Sequence, residues 1–146
     1  MLLIRRPTVG ERDVCLALVR RMIETGPYVA LFPIDHTRLE LLVDWFLSEQ
    51  LVLVAALDDQ LVGIVAGIAA DQPWSGVRVM EEAVWYVEPE YRAGSIGPRL
   101  LRGFEEESLR FGCAMVKMVA PQASTVGTYL GRHGYVPLET VYTRNL

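Results

Sequence analysis

Residues 51–57 (LVLVAAL) and 61–69 (LVGIVAGIA) are two apolar runs with only Asp58, Asp59 and Gln60 between them. Apolar runs of this length around a short polar turn predict a hairpin of two buried strands. A third strand-like run, 77–87, follows the turn-rich connector 71–76 (DQPWSG). Ahead of the hairpin the period changes. Residues 2–6 read as a short strand ended at 7–10. A helix is expected over 11–25, with Val14, Leu18, Met22 and Ile23 on one face. Gly26 and Pro27 stop that helix, and the aromatic stretch 28–34 reads as a loop. Asp35 stands where the N-cap of a second helix, 36–48, is needed.

Beyond residue 87 the spacing of Leu100, Leu101, Phe104, Ser108 and Phe111 predicts a helix over 95–111, with the three glutamates 105–107 mostly outward. Pro98 fits only its first turn, where a missing N–H costs nothing. Gly112 ends the helix. A strand over 114–120, a shorter helix over 124–132 closed by His133 and Gly134, and a terminal strand over 135–143 complete the reading. The result is an α/β (α+β) chain without repeat or linker, expected as one domain over residues 1–146.

Composition narrows the setting. The chain is 51% hydrophobic and 22% charged, enough apolar material for a sizeable core. No apolar run reaches the roughly 18 residues of a membrane span. The N-terminal MLLIRRPTVGERD places charge too early for a secretory signal. A cytoplasmic protein without a membrane partner is expected, and the net charge of −4 gives no general attraction to nucleic acid. Cys15 and Cys113 lack metal or redox spacing, so they are expected as reduced, buried hydrophobes, with no metal site.

The densest chemistry lies in 83–101, AVWYVEPEYRAGSIGPRLL: a strand, a proline turn, a glycine-bearing loop and a helix start. Free N–H groups and a positive dipole end at a helix start favour an anion such as phosphate. Gly94 and Gly97 leave that backbone open to approach.

This unit, within the order of elements around it, resembles the GNAT superfamily of acyl-CoA-dependent N-acetyltransferases over nearly the whole chain. The superfamily loop runs Arg or Gln, two free positions, Gly, one free position, then Gly or Ala. Arg92-Ala93-Gly94-Ser95-Ile96-Gly97 matches at Arg92 and Gly97, with Ser95 in the first glycine's place and Gly94 just before it. Such an Arg-x-Gly loop is similar to that of phage-type and bacterial members. The run Tyr129-Leu130-Gly131-Arg132-His133-Gly134-Tyr135 is similar to the family's helix ending in Gly and an aromatic.

The resemblance implies a mostly antiparallel mixed sheet with strands four and five splayed, flanked by about four helices. It implies acetyl-CoA as cosubstrate and direct attack by a primary amine of a small molecule, peptide or protein. Trp85, Tyr86 and Val87 would offer strand edge to the pantetheine arm, and Arg92, Ala93, Gly94, Ser95, Ile96, Gly97 and Pro98 would hold the diphosphate. Arg99 and Arg102 either reach the outer phosphate or are solvated. A glutamate about four residues before Trp85 serves some members as base. Period-two alternation places that residue, Glu81, with Ala83, Trp85 and Val87 and turns Glu82 away, so Glu81 is preferred over Glu82. The family's frequent tyrosine acid falls at Leu130, beside Tyr129, which is carried as the candidate acid. His36 is a second candidate base and His133 a helix cap. Tyr28, Phe32 and Trp74 are candidates for the acceptor pocket, and a homodimer is common among relatives. The second reading is a non-catalytic acyl-CoA-binding or interaction protein.

Overall fold

The computed structural model describes residues 1–146. Five strands form one sheet in the order β1 (Leu2–Arg5), β2 (Leu51–Leu57), β3 (Gln60–Asp71), β4 (Arg78–Val87), β5 (Met115–Lys117). The first four pair antiparallel, and β5 lies parallel to β4. The predicted hairpin is present. Asp58 and Asp59 both adopt left-handed φ, 47° and 68°, as a two-residue turn matched to the strand twist requires.

Helices α1 (Arg12–Thr25) and α2 (His36–Glu49) cover one face of the sheet, and α3 (Ile96–Arg110) covers the other. This explains the unbroken apolar runs of β2 and β3, since side chains on both faces enter a core. Val52, Val54, Ile64, Val84 and Tyr86 pack beneath α1 and α2, while Leu53, Val65, Met80 and Val87 pack against Leu100 and Phe104 of α3. Asp35 caps α2 as expected, accepting from the Arg38 N–H at 3.0 Å. The Arg12 guanidinium ties the two helices by binding Asp44 and Glu40.

Three glycines let α3 press onto the sheet. A Cβ on Gly103 would meet Ile4 at 3.0 Å, and one on Gly63 would meet Leu100 at 3.0 Å. At Gly67 the approach is closest, with Phe104 at 2.6 Å and the Glu81 carbonyl at 2.8 Å from the ideal Cβ. Here the ladder shifts. Ala66 pairs with Val84 but Gly67 pairs with Glu82, so Ala83 is the surplus residue of a β-bulge.

Two predicted strands differ. The strand expected over 114–120 pairs only through Lys117, and the chain then leaves the sheet. The terminal strand expected over 135–143 does not form. β5 offers an edge only three residues long, and Pro137 lacks the N–H a ladder needs. Val136, Leu138, Val141 and Tyr142 are accordingly exposed. α4 (Thr125–Arg132) follows the departing strand and closes on His133.

Substituting Gly67→Ala is expected to destabilise the fold by about 1–3 kcal/mol through overpacking against Phe104 and the Glu81 backbone. Chemical denaturation checks this. Gly131→Ala, in α4 with nothing near its Cβ position, serves as the control that should not destabilise.

Candidate active site

The site is a gap in the sheet. β4 and β5 are paired only at Val79–Met115, Met80–Val116 and Glu81–Lys117. From Glu82 to Val87 the outer edge of β4 has no neighbouring strand. Glu88 N–H donates to the Val62 carbonyl at 2.9 Å, so strand alternation turns the main-chain groups of Tyr86 toward β3. Those of Trp85 and Val87 face the gap. The Tyr86 main chain, expected as free edge, is thus turned to the β3 side, and its side chain is buried beneath α1 and α2.

The bulge decides which glutamate joins this edge. Glu82 sits opposite Gly67 on the α3 face, the side of Trp85 and Val87, while Glu81 sits opposite Ile68 on the α1–α2 face. This reverses the sequence-based placement, because unbroken alternation fails where Ala83 is inserted. Glu81 is exposed and ion-paired with Lys117 at 3.3 Å. Glu82 is half-buried at the apex of the gap. Burial pushes its carboxyl from an ordinary 4.5 up to about 7, and a hydrogen bond from the Val119 backbone across the gap pulls the other way.

At the far end of this edge the chain turns into α3. The N–H groups of Ala93, Gly94, Ser95, Ile96 and Gly97 donate to no atom of the protein. Neither Gly94 nor Gly97 has a left-handed φ, and a Cβ at either would meet nothing closer than 3.9 Å. The fold itself would accept side chains there. Five N–H groups without a protein acceptor at a helix start suit a diphosphate. Arg92 is directed elsewhere. Its Nε donates to the Val87 carbonyl at 2.7 Å and its guanidinium lies over the Tyr86 ring at 5.2 Å.

α4 forms the opposite wall. Leu130 is buried, whereas the half-buried Tyr129 ring faces Trp85 with centroids 6.3 Å apart. His133 stacks on Tyr129 at 4.1 Å, its Nδ1 2.8 Å from the Tyr129 carbonyl, which gives it the expected capping position. The Trp85 indole donates to the Gly97 carbonyl at 3.3 Å and ties β4 to the first turn of α3.

The family model described as Acetyltransferase (GNAT) family matches residues 20–135. The chain belongs to this family. Among solved structures, an acetyltransferase with acetyl-CoA from Clostridium acetobutylicum is 17% identical, with a TM-score of 0.79 over 99% of this chain and 96% of that one. A ribosomal-protein-alanine N-acetyltransferase from Brucella melitensis is also 17% identical, with a TM-score of 0.74 over 100% and 99%. An aminoglycoside N-acetyltransferase in complex with CoA is 14% identical, with a TM-score of 0.75 over 100% and 95%. No curated protein matches by sequence. The five-stranded mixed sheet with four helices is thus the GNAT acetyltransferase fold.

Other candidates fall outside the GNAT cleft. Tyr28 and Phe32 lie together, ring centroids 6.1 Å apart, in the loop just after α1. That helix end is tied to the foot of β4 by an Arg21–Glu88 ion pair. Trp74 is at the other end of β4, in the exposed turn between β3 and β4. Ten residues of strand, about 30 Å, separate the two places, so these aromatics do not line one pocket. Arg99 and Arg102 line a groove along β1 instead. His36 is exposed in the first turn of α2. Cys15 and Cys113 are buried and unpaired, with both thiols pushed up by burial. No cluster of three metal-ligating side chains is present.

Sequence reasoning missed Glu88. It binds Arg21 and accepts from the Tyr86 hydroxyl at 3.1 Å, and Tyr86 in turn lies beneath Arg92. Its place beside Pro89 in the strand-to-loop turn was the only local signal.

Because folded Glu82 holds its proton up to about pH 7, its contribution to stability is fully present below about pH 4.5 and is lost as pH rises through 7. The Tm difference between wild type and Glu82→Gln is therefore expected to move against wild type between pH 5 and 8 and level off above. A Tm series in matched buffers checks this.

Proposed function

We propose that the protein is an acetyl-CoA-dependent N-acetyltransferase, one domain over residues 1–146, acting by direct attack of an acceptor amine. The observation carrying this reading is a single track. It runs from the free N–H groups of 93–97, along the open edge at Val87 and Trp85, to the half-buried carboxyl of Glu82.

Acetyl-CoA would supply the activated acyl group as a thioester. Ala93, Gly94, Ser95, Ile96 and Gly97 would hold its diphosphate through main-chain N–H groups, with Pro98 setting the first helical turn. The Val87 N–H and the Trp85 carbonyl would align the pantetheine arm by strand-like hydrogen bonds, and the Trp85 N–H, the donor on this edge nearer Glu82 and Tyr129, would polarise the carbonyl. Glu82 would accept a proton from the acceptor ammonium, directly or through water, its ionisation near 7 being matched to neutral conditions. Tyr129 would present its hydroxyl proton to the departing sulfur. Arg92 would position the loop by holding the Val87 carbonyl.

The acceptor is a primary amine of a small molecule or of a peptide or protein. A cytoplasmic setting accords with two unpaired cysteines. Self-association as a homodimer accords with the exposed apolar residues at 136–142, and light scattering on the purified protein tests it.

Calorimetric titration is expected to show one acetyl-CoA site per chain, and thiol release is expected with at least one member of an amine panel. Binding without turnover on any amine would favour the non-catalytic reading, and absence of binding would remove both. With an active amine, kcat/KM is expected to rise with pH to a plateau with an apparent pKa near 7. Glu82→Gln is expected to lower kcat about 100-fold and flatten that limb. Glu81→Gln, the control, should retain both. Tyr129→Phe is expected to lower kcat with little change in the KM for acetyl-CoA.

A further inference from the structure

On the flank of α3 away from the cleft lies a second feature that this chemistry does not use. α3 and β1 enclose a groove of about 450 Å³ lined by Arg5, Arg6, Arg99, Arg102 and Arg110 together with Glu106 and Glu107. Five guanidiniums against Glu106, Glu107 and the Glu11 that pairs with Arg5 leave a local excess of two positive charges in a chain whose net charge is −4. The charges converge from two separate elements. Gly103 forms the floor, where α3 meets Ile4 and Leu53.

The arginines are not equally compensated. Arg5 is paired with Glu11, and Arg6 and Arg110 share Glu107. Arg99 binds only the Leu2 carbonyl, at 3.1 Å, and Arg102 has no carboxylate within ion-pairing distance. These two lie three residues apart on one helix face, the spacing at which neighbouring side chains can converge on one ligand. Two uncompensated forks side by side favour an anion with several oxygens.

We propose that this groove is a second anion site that takes a compact polyphosphate. The volume lies within the range of small-molecule pockets. Only Ile4 and Leu53 among the lining residues are apolar, so the groove offers no slot for a base or another flat ring. It is distinct from the cleft. β1 and β4 are separated by β2 and β3, which places the groove about 14 Å across the sheet from the Trp85–Val87 edge. Anion binding there would be held by Arg99 and Arg102 of α3, with Arg6, just past β1, completing the rim.

The test is calorimetric titration of the full chain with sodium tripolyphosphate, with and without saturating acetyl-CoA. One site is expected, with the same affinity in both conditions. Arg102→Gln and, independently, Arg6→Gln should each weaken it about tenfold, the loss of one charge-assisted contact. The control Arg38→Ala, on α2, should not change it, and acetyl-CoA affinity should stay at the wild-type value in all three variants. No saturable heat would overturn the proposal. So would competition by acetyl-CoA, which would place the anion on residues 93–97. Undiminished binding in both groove variants would overturn it as well. Affinity that appears only with single-stranded oligonucleotides and grows with their length would replace it with a nucleic-acid surface.

Discussion

Phe104 fills the space that a Cβ on Gly67 would need, and this close approach accompanies the register in which Ala83 has no partner across the sheet. Much of the site follows from that one surplus residue. It turns Glu82 to the same side as Trp85 and Val87 and leaves Glu81 on the other, paired with Lys117 in solvent. It also lies where β4 loses its outer neighbour, so the half-buried carboxyl sits at the point where the sheet opens. An edge strand with free main-chain groups is ordinarily a liability for aggregation, and here α4 shields it by setting Tyr129 against Trp85.

Arginine ties the joints around this frame. Arg5 clasps Glu11, which also accepts from the Thr8 N–H, and the carboxyl is pulled down to about 2. Arg12 joins α1 to α2, and Arg78 joins β4 to the end of α3 through the Phe111 carbonyl. Arg21 and Arg92 meet at the foot of β4 through Glu88 and Tyr86. Exposed pairs of this kind add little stability singly. Their geometric role is larger, because the planar fork fixes orientation, and Arg92 holds the strand end from which the loop at 93–97 departs.

Much of this was legible from the residues alone. The apolar runs of β2 and β3, the Asp35 cap and the glycine-bearing loop before α3 each follow local rules, so pattern was enough. The bulge was not legible. Nothing in Met80-Glu81-Glu82-Ala83 announces an insertion, and the close contact found at that register, Phe104 over Gly67, comes from another element. Tyr129 was obscured for a similar reason: the position matching the usual tyrosine is Leu130, which the core takes, leaving its neighbour toward Trp85. The terminal segment shows the opposite error. Its alternation reads as strand, but β5 ends too soon to pair with it.

The environment of Glu82 also links protons to occupancy. Its carboxyl is balanced near 7 because it is only partly removed from water. A neutral group that fills the opening beside it removes more water and raises its affinity for a proton, whereas a cation placed there favours the carboxylate and expels one. Association at the cleft is then a coupled equilibrium, in which the measured heat depends on the ionisation enthalpy of the buffer and the sign of the pH dependence reports the charge of what lies there.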